Sequence, residues 1–140
     1  MWTDDDALDA TRRRVDEWES TIAARSARTT ALTRELAVLT GTARTADGTV
    51  EVTVDAHGRL VGLRLDDRVR ARSGARTAEA VLETVRAAYA DLVERVRAAA
   101  DATLGADDPT ARALVESYAS RLERPGAPGR GTAGHPSTTQ

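Results

Sequence analysis

The chain contains no cysteine, no lysine and no phenylalanine, and only two tryptophans and two tyrosines. Without cysteine there is no disulfide scaffold, no thiol nucleophile and no thiolate metal site. Without lysine there is no glycine-lysine phosphate loop of the kind that cradles nucleotides. Imidazole could come only from His57 and His135, which lie far apart in sequence, and no Gly-x-Ser-x-Gly elbow is present. Neither Asp4–Asp6 nor Asp107-Asp108 has the spacing of a metal loop. The residue set therefore predicts no enzyme, no cofactor and no metal. No apolar run approaches membrane-spanning length. The acidic start, MWTDDDALDA, lacks the basic-then-apolar order of a signal peptide. These two features predict a cytoplasmic protein with no membrane partner.

Large aliphatic residues are also scarce. Leucine, isoleucine and valine together number 25 of 140 residues, fewer than the 27 alanines. A net charge of −2 is too small to keep such a chain unfolded by self-repulsion. The expectation is one small domain with a thin core, and a thin core invites association.

Residues 4–40 hold neither glycine nor proline. Leu8, Val15, Ile22, Thr29 and Leu36 share one heptad position, and Thr11, Trp18, Arg25, Leu32 and Leu39 share the other. Seven of these ten seam positions are apolar, which predicts a long amphipathic helix closed by Gly41. The period then becomes two: Val50, Val52 and Val54 alternate with polar residues after the turn dipeptide Asp47-Gly48. A second turn at residues 56–58 leads into a strand with Val61, Leu63 and Leu65 on one face. Gly62, alone in that strand, marks a bulge or a close backbone approach. Residues 42–46 alternate weakly and supply the first strand of the meander. A polar connection, residues 66–76, precedes a second long helix capped by Thr77 and running to Leu104. Its stripe includes Val81, Val85, Tyr89, Leu92 and Val96. Asp108-Pro109 reads as a cap and first-turn proline of a short helix ending near Arg124. Residues 125–140, rich in proline and glycine, are expected to be disordered.

The order predicts an α+β fold: long helix, three-stranded antiparallel meander, long helix, short helix and tail. In domain terms this is an α-β-β-β-α unit over 1–104, a short helix over 105–124 and a tail over 125–140. A small sheet cannot cover both long helices, so a homodimer is expected. Its interface would use Val15, Trp18 and Ile22 from the first helix, with Val50, Val52, Val54, Val61, Leu63 and Leu65 from the sheet.

Charge is unevenly distributed. Residues 1–20 carry a net −4, residues 21–76 a net +4 and residues 77–124 a net −3. Two arginine clusters stand out: Arg12, Arg13 and Arg14 on the first helix, and Arg64, Arg68, Arg70, Arg72 and Arg76 at the end of the last strand and beyond it. Guanidinium groups in such clusters can contact phosphates without reading bases. The alternative is a solvated surface paired with Asp66 and Asp67. Stacking of single-stranded bases is disfavoured, because no aromatic residue lies between Trp18 and Tyr89.

The run GTVEVTVDAHGRLVGLRLDD, followed by a long alanine-rich helix, resembles the YbaB/EbfC family of bacterial nucleoid-associated proteins. The matching features are Val50, Val52 and Val54, then Gly58, then Leu65-Asp66. With the preceding helix the resemblance covers about 100 of the 140 residues. It implies a tweezer-like homodimer that binds double-stranded DNA with little sequence preference, located at the nucleoid. Actinobacterial relatives of this type also resemble accessory proteins associated with type VII secretion. A protein-interaction or chaperone-like module using the helical arms is therefore the alternative.

Overall fold

A computed structural model describes residues 4–123, so the predicted tail and the helix end at Arg124 lie outside the described residues. Helix α1 spans Asp4–Ala37, with Asp4, Asp5 and Asp6 in its first turn and Arg34 in its last. That charge order complements the helix dipole. At 1.5 Å per residue α1 is about 50 Å long. Only Leu32 and Leu36 of it are buried, so the helix reaches well beyond the body it is anchored to.

Gly41 does not end α1 as the sequence suggested. The helix closes at Ala37, where Val38 and Leu39 donate back to the carbonyls of Glu35 and Leu36. Gly41 instead lies inside strand β1, Thr40–Arg44. It is needed there for space: a Cβ at this position would come within 2.2 Å of the Ala88 carbonyl oxygen. Strand β2, Val50–Asp55, pairs antiparallel with β1 and with β3, Leu60–Leu65, giving the sheet order β1-β2-β3. The β1–β2 hairpin turns at Gly48 and the β2–β3 hairpin at Gly58, with φ of +73° and +80°. The β2–β3 register slips between Thr53 and Val54. Gly62 sits opposite Thr53 beside this slip, where a Cβ would come within 3.3 Å of the threonine side chain. Of the two alternatives for that glycine, the bulge is the one present, since its near neighbour is a side chain and not backbone.

Val50, Val52 and Val54 are fully buried. Helix α2, Gly74–Leu104, packs over β1 and β2 and places Ala88, Leu92 and Val96 on them. The three valines were expected at a dimer interface; within the protomer α2 of their own chain encloses them. Alanine lets the helix backbone approach the sheet closely, and the thin core follows from this. The start of α2 was misplaced as well. Ser73 rather than Thr77 is the cap, its hydroxyl accepting from the Arg76 amide at 3.2 Å. Residues 67–71, read as an open connection, form a short 3-10 turn opened by Asp66.

Helix α3, Pro109–Glu123, begins as the sequence indicated: Asp108 accepts from the amides of Thr110 and Ala111 at 2.8 and 3.3 Å. It folds back on α2 with Ala111 and Val115 buried. Arg25, a charged interruption of the α1 heptad, has a structural use here, since its guanidinium meets the Asp108 carboxylate at 3.1 Å.

Candidate functional site

The second arginine cluster is divided by its partners. Asp47 lies at the hub of the β1–β2 turn and accepts from the Thr45 and Thr49 hydroxyls, both at 2.7 Å, and from the Thr49 amide at 3.0 Å. Arg72 closes onto the same carboxylate and also donates to the Thr49 hydroxyl at 3.1 Å. The Arg72 guanidinium, helped by the two threonine hydroxyls, holds the Asp47 carboxyl far below the usual carboxylate range. Arg68 is engaged too. It pairs with Asp66 at 3.0 Å and donates to the Asp47 carbonyl at 2.8 Å. The backbone amide of Arg68, and then its side chain, draw the Asp66 carboxyl down. Arg68 and Arg72 thus tie the hairpin to the 3-10 turn. Arg70 pairs with Asp67 at 3.6 Å, but both groups are almost wholly exposed and the pair is loose.

Arg64 and Arg76 have no carboxylate within ion-pair distance among the described residues. Arg76 shares a polar hollow with Asp47, Glu79 and Glu83, which places negative charge around it. Arg64 is differently placed. The registers set Arg44 opposite Glu51 and Glu51 opposite Arg64, so the three form one cross-strand row. Alternation puts this row on the face turned away from α2, opposite to Val52 and Leu63. At the usual strand spacing the backbones of the two arginines are about 10 Å apart with Glu51 between them, and the Arg44 guanidinium turns towards Gly48 at the hairpin tip. Thr42 and Thr53 lie beside them on that face. Arg44 was missed in the sequence because it sits in the weakly alternating strand, and only the register reveals its pairing. Glycine at 62 keeps this face flat beside Thr53.

Arg12, Arg13 and Arg14 are exposed on the arm of α1. Arg13 reaches back to the Asp9 carbonyl at 3.4 Å, and none of the three has an ion-pair partner among the described residues. The acid-rich first turns of α1 lie beside them, which weakens their pull on a polyanion.

His57 is an exposed turn residue. Its amide, like that of Arg59, donates to Asp55 at 2.9 Å. These contacts, that from Arg59 the larger, lower the Asp55 carboxyl and stiffen the β2–β3 turn. Among the described residues no helix is long and apolar enough to cross a membrane. None of the described residues form a group of three or more that could hold a metal ion.

The apolar surface is split as well. Leu8, Val15, Trp18 and Ile22 on the arm are 45–65 % exposed, and Leu60, Val61, Leu63 and Leu65 of β3 are 44–59 % exposed. Of the residues expected at an interface, Val15, Trp18, Ile22, Val61, Leu63 and Leu65 therefore do lie on the surface of the protomer.

Residues 20–106 match the model of the YbaB/EbfC DNA-binding family. No curated protein matches the chain. No solved structure matches it either.

Proposed function

The chain belongs to the YbaB/EbfC DNA-binding family, and we propose that it works as a homodimer that binds double-stranded DNA at the nucleoid, through arginine–phosphate contacts and with little sequence preference. The family match carries the reading, and the cross-strand row of Arg44 and Arg64 gives it a surface. These two arginines have no ion-pair partner among the described residues, and they project from a three-stranded sheet rather than a mobile loop. Arg12, Arg13, Arg14 and Arg76 would add to the attraction. Arg68 and Arg72 hold the hairpin together, so they fall outside the proposed contact set, and Arg70 is a minor contributor. Contacts of this kind neutralise phosphates and leave base edges unread, which accounts for the sequence tolerance.

Two unrelated duplexes in a mobility-shift assay provide the test. The expected result is equal retardation of both at about 50 mM salt, with binding weakening steeply as salt rises. A tenfold preference for one duplex would contradict sequence tolerance. No retardation of either would shift the reading to the alternative, a protein-interaction module, which the exposed apolar arm favours.

A further inference from the structure

Helix α1 is anchored over a short length. Its buried residues, Leu32 and Leu36, lie one turn apart, whereas the helix continues outward from Leu32 to Asp4. Among the described residues, no side-chain hydrogen bond or ion pair joins residues 4–24 to the rest of the protein; Thr11, Arg13 and Thr21 bond back only within the helix. Arg25 is therefore the outermost described residue of the arm with such a tie to the body. Its partner, Asp108, opens α3, which starts past residue 106, where the match to the family ends. The Asp108 carboxylate serves both helices. Its Oδ1 accepts from the Thr110 and Ala111 amides and caps α3, while its Oδ2 accepts from Arg25 Nη2 at 3.1 Å. The Asp108 side chain is only 13 % exposed, so salt screens this pair less than one on the open surface. Its support is firm. Gly105 turns the chain at a φ of +94° and its amide donates to the Asp101 carbonyl, while the Asp108 amide donates to the Gly105 carbonyl. Ala111 and Val115 then bury the first turns of α3 against α2. At the far end of α3, Leu122 rests on the β2–β3 turn, where a Cβ on Gly58 would come within 2.7 Å of it.

We propose that α3 is a brace for the arm: through Asp108 it holds Arg25 and so fixes the direction in which α1 leaves the body. Arg25 and Asp108 are then positioning residues for whatever the arm carries. This concerns the protomer alone and stands whether the arm meets DNA or protein. Leverage is what makes one ion pair effective. Leu32 and Leu36 are about 6 Å apart along the helix axis, and Arg25 lies about 16 Å from Leu36. The tip at Asp4 is about 48 Å from Leu36. About 1 Å of play at Leu32 therefore swings the tip by about 8 Å, whereas the same play at Arg25 swings it by about 3 Å. The brace also accounts for the charge in the heptad seam. Arg25 occupies an apolar position of the repeat because the surface it faces is the polar start of α3 and not the apolar stripe of α2. Held this way, the arm presents Arg12, Arg13 and Arg14, with the exposed Trp18 and Ile22, in one orientation.

Distances between spin labels on the full-length chain test the brace. The chain has no cysteine, so labels attach only at introduced ones, and Ala7→Cys on the arm with Ala98→Cys on α2 uses two exposed positions. Doubly labelled protein, diluted in unlabelled protein so that only distances within one chain are read, is measured by double electron–electron resonance. The expected distribution is narrow with Arg25 and Asp108 in place, and at least about twofold broader with either Arg25→Gln or Asp108→Asn. Asp108→Asn keeps a side-chain oxygen that caps a helix, so it separates the ion pair from the cap. Neither change touches the core, and circular dichroism should show native helix content in both. Leu122→Ala is the comparison: it thins the packing of α3 on the β2–β3 turn and should lower Tm while leaving the width unchanged. An unchanged width in both charge variants would overturn the brace. So would a distribution already broad in the parent chain. Equal broadening by Leu122→Ala would also overturn it, because the arm would then follow the packing of α3 in general and not its tie to Arg25.

Discussion

Replacing Gly41 with alanine should unseat α2 from the sheet. The added Cβ would meet the Ala88 carbonyl oxygen at 2.2 Å and the Leu92 Cβ and amide nitrogen at 2.8 and 2.9 Å. Two of those three atoms are backbone and cannot rotate aside. Relief requires β1 and α2 to separate by about an ångström, which loosens the packing of Leu92 and Val52 around it. Overpacking of a tight core costs typically 1–3 kcal/mol, and a backbone obstacle puts this case near about 3 kcal/mol. In a chain of this size that lowers Tm by roughly 10–15 °C. The assay is thermal unfolding followed by circular dichroism, with Gly74→Ala as control. Gly74 opens α2, and a Cβ there meets nothing within 4 Å. That variant should gain up to about 1 kcal/mol from the lower entropy of its unfolded chain. A loss below about 1 kcal/mol for Gly41→Ala would refute the close approach of helix and strand.

Acid should destabilise the fold through its hydrogen-bonded carboxyls. The carboxyls of Asp47, Asp55 and Asp66 are all lowered in the folded state. Depressed acids contribute stability that is present above their unfolded pKa of about 4 and lost as pH falls through the folded value. Unfolding midpoints should therefore be flat above about pH 5 and fall below about pH 4, and Asp47→Asn should flatten that fall. A fall of equal size in the variant would count against Asp47 as the hub. Tyr89→Phe removes the hydroxyl that donates to Gly58 and should cost about 1 kcal/mol. Faster hydrogen exchange at the β2–β3 turn should accompany it, and unchanged exchange would contradict the tie. Arg72→Ser should lower Tm without changing the salt dependence of DNA binding, whereas Arg64→Ser should do the reverse; the opposite pattern would exchange their roles.

Periodic features were legible in the sequence. The heptads of α1, the alternating valines of β2 and the Asp108-Pro109 start of α3 each follow from a local rule, and the structure shows all three elements. What escaped depends on contacts distant in sequence. Gly41 looked like a helix stop because its neighbour across the fold, Ala88, is 47 residues away. Val50, Val52 and Val54 pointed to a shared interface because alternation shows that a face is apolar and not which element covers it. Arg68 and Arg72 looked like their neighbour Arg70, yet the Asp47 turn, more than twenty residues earlier, takes up only those two. Arg44 was hidden for the same reason, since its place beside Arg64 exists only through the register with Glu51.

The salt dependence of DNA affinity tests the central claim most directly. Wild type should show a steep linear fall of log affinity with log salt. In a dimer, Arg44→Ser with Arg64→Ser removes four guanidinium groups. At about 0.9 in slope per phosphate contact, the slope should flatten by up to about 3.6 while the fold and the dimer persist. An unchanged slope in the double variant would contradict the sheet face as the phosphate-binding surface.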